Sequence, residues 1–403
     1  MKLRSVALMV LVAVVASLFV VPVAAQDGPT LTIWADDARA EPLRELGAQF
    51  EEENGIAVNV VELPFGEIRD QLKTAAPAGE GPDVIIGAHD WLGELVLNGL
   101  VEPIELGDTD QFVDSAIEAF TYEGELYGLP YAIENVAFVR NTDLVPDAPA
   151  TWEEVREISE GLVESGEADY GYVIQENDPY HFFPVQTAFG GYVFGFEEGE
   201  GYDAEDVGID NEGSIEALSW LESYVADDLM PAGLDYGSMH QLFFDGDAAM
   251  MITGPWAIGD IEGAGVPFAV SAIPGTEEVE NGRPFLGVQG FMVNSFSENK
   301  QLASLFLTDY IATEDAMQQI FDAGDRPAAF VPVRDNTENE VLTSFGEAGV
   351  NGLAMPAIPE MSAVWTSWGN AVALVVQGTA EAEAAFTDAA TTIRDSIAEA
   401  AAS

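Results

Sequence analysis

Residues 128–141 read Gly128-Leu-Pro-Tyr-Ala-Ile-Glu134-Asn135-Val-Ala-Phe-Val-Arg-Asn141. Tyr131, Ile133, Val136, Phe138 and Val139 are strand formers. The pattern predicts one extended run of about a dozen residues, where five or six is ordinary. A single carboxylate, Glu134, stands in its middle beside Asn135. Upstream the chain alternates short strands and helices; downstream, Asn141-Thr-Asp-Leu144 leads to a new helix start at Thr151-Trp-Glu-Glu154. A strand that closes one compact unit and opens the next is a hinge. A carboxylate in it lies in the cleft between the units.

The upstream segments agree with that reading. Thr30–Trp34 is a short buried strand, followed by Asp36, Asp37 and Arg39 and a helix through Leu43, Leu46 and Phe50 at helical spacing. A second strand (56–63), a second helix (67–76) and an apolar strand ending at Gly87 follow, then His89-Asp90-Trp91. This order predicts a mostly parallel sheet flanked by helices, with ligands held beyond the strands' carboxyl ends. Asp36, Asp37, Arg39, Asp90 and Trp91 all fall at that rim.

Downstream, Thr151 caps a helix with Glu154 in the capping-box position. Residues 170–175 and 248–253 are strands, the latter ending in Gly254-Pro255-Trp256, and 211–225 is an amphipathic helix. Pro284–Phe296 is a second long extended run, with Gly287 and Gly290 permitting bends, and reads as a return crossing. Residues 299–322 read as helix, and a third crossing is expected near Arg334–Glu340.

Lys2 and Arg4, the apolar run Val6–Val21 and Val23-Ala24-Ala25 form a signal peptide over 1–25. Its removal from the 403 residues leaves 378 and takes away two cations and no acid, so the net charge of −58 becomes −60. About 150 residues per domain makes two or three domains. The absence of cysteine excludes disulfides, a thiolate nucleophile and a lipid-modified cysteine anchor. The charge disfavours nucleic acid and polyanions and favours a neutral ligand. His89, His181 and His240 have no zinc spacing. No metal or cofactor is expected.

The stretches GPDVIIGAHDWLGELVLNGLVEPI, LPYAIENVAFVRNTDLVPDAPATWEE, AAMMITGPWAIGDI, PFLGVQGFMVNSFSENK and MPAIPEMSAVW resemble the maltose/maltodextrin-binding family, the extracytoplasmic solute-binding proteins of ABC sugar importers. The similarity runs from about Leu31 to the final helix in unbroken order. It implies a two-lobed α/β fold of the periplasmic-binding-protein kind, closing on an oligosaccharide and docking on membrane permease subunits. Read onto this chain, the first lobe is 26–133 plus 290–336 and the second 134–289 plus 337–403. The protein is expected to be a monomer, exported to the periplasm or cell surface.

A sugar presents an apolar ring face and a rim of hydroxyls, so aromatic faces and carboxylate acceptors suit it. By resemblance, Asp90 and Glu134 are the principal acceptors, with Asp37, Arg39 and Glu176 as companions. Asp178 competes with Glu176 for its role, and Asp36 and Glu67 are further candidates. Tyr180, Trp256 and Trp365 supply stacking faces and Met355 adaptable filler, while Trp152 and Trp220 belong to the core. The structural alternative is that Asp90 caps a helix and Glu134 lies on a solvated strand face. The family has tryptophan where Gly87 stands and arginine where Trp91 stands; its last motif continues with tyrosine and arginine at the places of Thr366 and Gly369. Trp91 and Trp368 are the candidates to replace the lost faces. Two carboxylates in a sugar cleft also describe a glycoside hydrolase, and secretion with acidity suits a surface-layer protein, although repeats are absent. Binding of an oligosaccharide without turnover is the principal reading.

The charge generates a prediction of its own. Salt at 1 M shortens the Debye length to ~3 Å from ~10 Å at 0.1 M, so the melting temperature rises with sodium chloride across that range. A surface variant with carboxylates exchanged for lysine should lack the rise, which separates screening from strengthened apolar burial. Equal rises in both proteins would remove salt adaptation as the reason for the acidity.

Overall fold

Period-two alternation sorts the first sheet's side chains onto two faces. In β1 (Thr30–Ala35), Leu31, Ile33 and Ala35 join Leu43, Leu46 and Phe50 of the helix Asp37–Asn54 in one core. Trp34 joins Ile68, Leu72 and Ala76 of the helix Phe65–Ala78 in the other. β2 (Ala57–Glu62) and β3 (Val84–Ala88) flank β1, both parallel to it. In β3, Val84 and Ile86 face the first core and Ile85 the second. The computed structural model describes residues 28–197, 201–324 and 326–402; the signal peptide expected over 1–25 lies outside them.

A short strand, β4 (Val101–Glu102), precedes the stretch around Glu134. That stretch is two strands rather than one. β5 (Gly128–Glu134) belongs to the first sheet and β6 (Ala137–Asn141) to a second. The break has a physical cause in Asn135, whose buried Nδ2 donates to the carbonyls of Phe345 (2.9 Å) and Val136 (3.1 Å). In the second sheet, β6 lies between β8 (Ala248–Thr253) and β9 (Phe268–Ser271), antiparallel to both, and β7 (Tyr170–Val173) lies on the far side of β8, parallel to it.

The chain then returns to the first sheet as β10 (Phe285–Asn294), which runs antiparallel to β3, β4 and β5, while β11 (Leu353–Ala354) pairs parallel to its start. The first sheet is therefore mixed, because the return strand enters from the other half. A register shift between Gln289 and Gly290 bends β10 against β5. Gly290 and Gly128 are bare for a further reason: a Cβ on either would collide with the ring of buried Phe120.

The segment 299–322 is helical with an interruption: a π turn over Phe306–Ile311 separates the helices Lys300–Leu305 and Glu314–Gly324. The third passage is short. After the helix Val331–Asn336, residues 337–339 lead into Glu340–Ala348, which packs on β9 and β6. Thr151 caps the helix Trp152–Ser165 by accepting from the Glu154 N–H, while the Glu154 carboxylate accepts from the Ala150 N–H (2.7 Å) rather than from Thr151, so half of the expected capping box is made. The fold is a two-lobed α/β architecture with three passages between the halves.

His89 ties the end of β3 to β10 and to the residue that follows β11. Its Nδ1 accepts from the Val288 N–H (3.0 Å) and its Nε2 donates to the Met355 carbonyl (3.0 Å). An amide can only donate and a carbonyl only accept, so one neutral tautomer, Nε2–H, satisfies both. Burial lowers the imidazole pKa to about 4. An unfolded histidine titrates near 6.5, so the unfolded chain takes up the proton first as pH falls. His89 therefore contributes stability that is complete above pH ~6.5 and lost toward ~4, on the order of 1.4 kcal/mol per unit. His240, also lowered to about 4 by burial, has the same sign; Asp90, raised to about 6, has the opposite one. Urea denaturation of the wild type and His89→Asn should show a stability gap that shrinks between neutral pH and pH ~4.5. A gap independent of pH would rule out titration of His89.

Candidate functional site

The carboxyl end of β1 carries two adjacent carboxylates with different fates. Asp36 is buried and its Oδ2 pairs with Arg39 Nη1 at 2.5 Å, whereas Asp37 is exposed in the first turn of the following helix. The Arg39 guanidinium lies over the rings of Phe65 (4.9 Å) and Tyr131 (5.8 Å). Asp36 Oδ1, Arg39 Nε and the Tyr131 hydroxyl are buried without a protein partner. Burial also raises the Tyr131 phenol above its ordinary pKa.

At the end of β3 the chain turns through His89–Trp91. The Trp91 ring lies over Gly87, where a Cβ would come within 2.5 Å of it, and against Phe65 at 4.8 Å. The ring thus fills the place that a side chain at residue 87 would take. Asp90 is buried; its Oδ2 accepts from Trp365 Nε1 at 3.1 Å and its Oδ1 has no protein partner. Burial raises its pKa to about 6, against the opposing pull of Arg69 and the indole N–H. It does not act as a helix cap of the usual kind, because its side chain accepts from Trp365 rather than from the following turn.

At the end of β5, Glu134 is buried and ion-paired with buried Arg326, while its Oε1 accepts from Gln289 Nε2 at 3.0 Å. Glu134 is therefore not on a solvated strand face. Each of its oxygens already has a protein partner. The Arg326 guanidinium lies 5.3 Å from the ring centre of Trp256.

Trp256 comes from the second sheet, in the turn after β8, and folds back over Gly254. Half-buried Tyr180, in the first turn of the helix Pro179–Ala188, stands with its ring 6.4 Å from those of Trp256 and Phe285. Half-buried Trp365 begins the helix Trp365–Val376 and reaches Asp90 across the boundary between the halves. Met355 is buried near His89, whose ring its carbonyl receives.

Other sequence candidates fall outside this group. The Glu176 carboxylate accepts from the Gly233 N–H and from Gln377 Nε2 (2.8 Å), which ties two segments of the second half together. Asp178 caps the helix at Pro179 and pairs with His181 Nδ1 at 2.9 Å. Trp368 is wholly buried, stacked beside Trp365 and edge-on to Phe183, so it is core rather than a ligand face. Glu67 is exposed and bonded to Gln71.

Pattern reading did not rank Asp36 above its neighbour, and it missed Gln289 and Arg326 altogether. Only parity at the end of β1 distinguishes Asp36 from Asp37, and Arg326 stands in no recognisable motif. A void of about 10 Å³, lined by Arg39, Tyr131, Ile86, Phe291 and Arg326, adjoins these groups. A larger cavity of about 450 Å³ lies elsewhere, beyond the Phe183–Phe285 stack and beside Tyr192, Phe196 and Tyr202. The carboxylate at its wall is Asp206, not one of those just described, so volume alone does not mark the site.

Two α/β halves, joined by three passages and with acceptors and aromatic faces gathered where they meet, define a two-lobed binding protein. The chain belongs to the bacterial extracellular solute-binding proteins, whose family profile matches residues 45–344. It is similar to a galactooligosaccharide-binding protein of Bacillus subtilis (strain 168), 28% identical over 380 residues that cover 92% of this chain and 90% of that protein. A maltotriose-binding protein of Pyrococcus abyssi is 32% identical over 325 residues, 76% of this chain and 68% of the relative. A maltooligosaccharide ABC transporter solute-binding lipoprotein of Streptococcus pneumoniae (strain R6) is 27% identical over 385 residues, 91% and 88%. These relatives are named for binding and not for turnover. The family to which the chain belongs is likewise one of solute-binding proteins.

Proposed function

We propose that the protein captures a neutral oligosaccharide, most closely an α-glucan, between its two halves and passes it to the permease subunits of an ABC importer. The observation that carries this is Asp90: a buried carboxylate with one free acceptor oxygen, held at bond distance from an aromatic side chain of the opposite half. A hydroxyl donated to Oδ1 and a ring face against Trp365 would be met together only when the halves are closed. Ligand therefore favours the closed form, which is the condition for hinge closure on binding. Asp36, Arg39, Tyr131, Trp91, Trp256 and Tyr180 supply further contacts. Asp37 lies at the exposed rim, and Met355 fills the floor.

The lobes are drawn as 26–133 with 285–336 and 134–284 with 337–403; the pairing of Phe285–Gln289 within the first sheet supports moving the return boundary from residue 290 to Phe285. The protein works as a monomer at the outer surface of the membrane, sent there by its signal peptide. Relatives named for maltotriose, maltooligosaccharide and galactooligosaccharide support the oligosaccharide class more broadly than any one linkage.

Calorimetric titration with maltose, maltotriose, longer α-glucans and galactose-containing oligosaccharides tests the reading. Heat with the α-glucans alone supports it, heat with the galactosides alone moves the ligand class, and silence throughout overturns it. Trp256→Ala should weaken binding by about 1–3 kcal/mol, as loss of a stacking aromatic does; unchanged affinity would remove Trp256 from the site. Because Asp90 titrates at about 6, its charged, stronger acceptor form prevails above that pH and is lost below it. Affinity should fall with acid through pH about 6 in the wild type and stay level in Asp90→Asn. A parallel fall in both proteins assigns the titration elsewhere.

A further inference from the structure

Resting on the proposed cleft, we infer that Arg326 is a built-in competitor of the ligand: its guanidinium occupies the hinge acceptor and the second half's stacking face together, and so holds the empty cleft shut and sets the affinity.

The backbone around Arg326 belongs to the first half. Pro327 accepts from the Ile133 N–H at 2.9 Å, and Ala328 makes an antiparallel bridge to Ala132 in β5. From there the side chain pairs with Glu134 at the end of β5 and sits over Trp256, which hangs from the second sheet. One side chain thus spans the two halves. Gln289 takes Glu134's other oxygen. The acceptor and the aromatic face that a sugar ring would use are therefore already served by protein groups.

The physical chemistry of the contact explains why it persists. A buried carboxylate without a cationic partner is costly to keep charged, and the Arg326 guanidinium, itself buried, is attracted by Glu134 and by Asp36. A planar, weakly hydrated guanidinium also stacks on an indole, which an ammonium does less well. A hydroxyl can replace Arg326 at Glu134, and a pyranose face can replace it at Trp256, but only when the side chain swings away. The apparent affinity is then the intrinsic one reduced by the fraction of molecules in which it has done so.

The test uses the full mature chain with Arg326→Met, which keeps packing volume against Trp256 and removes the pairing, and Arg326→Lys, which keeps the charge and loses the planar stack. Small-angle scattering without sugar reads the latch alone. The methionine variant should have a larger radius of gyration than the wild type, with the lysine variant between them. Titration with maltotriose reads the competition: affinity in the methionine variant should rise, on the order of tenfold. Equal radii in all three proteins, or weaker sugar binding by a folded methionine variant, would overturn the proposal; the second result would make Arg326 a ligand contact. If Arg326→Met does not fold, Glu134→Gln combined with Arg326→Met removes both buried charges, and its sugar-free radius decides for or against the latch in the same way. Should no sugar bind the wild type, the cleft reading fails while the scattering comparison still decides the latch.

Discussion

The structure depends on the register between β5 and β10. Their last paired residues are Glu134 and Gly287, and the register shift at Gln289–Gly290 turns the Gln289 amide toward the Glu134 carboxylate. A slip of one residue would send every side chain of β5 to the opposite face and move Glu134 away from Gln289 and Arg326. Phe120 fixes the register from the side. Its ring fits over two neighbouring strands only where both lack a Cβ, at Gly128 and Gly290. An apolar contact far from any ligand therefore decides where the hinge carboxylate points. Asn135 then holds the passage beside it through its bond to Phe345, and His89 ties the end of β3 to Val288 and Met355.

Cations are scarce in this chain, and two of them are spent on buried carboxylates. Thirteen lysines and arginines face 71 acidic residues. Arg39 neutralises Asp36, Arg326 neutralises Glu134, and Arg69 with Lys73 faces Glu94 beside Asp90. An unpaired charge is most costly where water is excluded, and Arg39 and Arg326, the two buried cations among the described residues, stand there; Arg44, Lys300, Arg334 and Arg394 pair with carboxylates at the surface. Exposed carboxylates need no such partner, because solvent and salt screen them.

Much of this was legible in the sequence because local pattern decided it. Short apolar runs marked β1 and β3, the long strand formers around Glu134 marked a passage between units, and Thr151 with Glu154 marked a helix start. Asp90 stood at the carboxyl end of a strand, where such sheets hold ligands. What escaped depended on partners distant in sequence. Glu176 looked like a cleft acceptor until Gly233 and Gln377 folded against it. Trp365 and Trp368 lie on one short helix, and only tertiary packing leaves the first half-exposed and the second in the core. The replacement of a side chain at Gly87 by the ring of Trp91 is a contact between positions that no local period relates.

The electrostatics of Asp90 bear on the kind of ligand that fits. Asp36 and Glu134 are each neutralised by a guanidinium at close range, whereas Asp90 has only the Trp365 N–H and the more distant pull of Arg69. Its raised pKa states the same thing energetically: ionisation in the buried site is costly, and any donor that reaches Oδ1 offsets part of that cost. A hydroxyl does so without bringing charge. An anionic ligand would place like charge beside an under-compensated carboxylate, and a phosphorylated one would do so twice over. On the proposed reading, the aromatic faces of Trp256 and Trp365 demand an apolar surface as well. An uncharged molecule that is apolar on its face and rich in donors at its rim satisfies both demands, and a pyranose is the common biological molecule of that description.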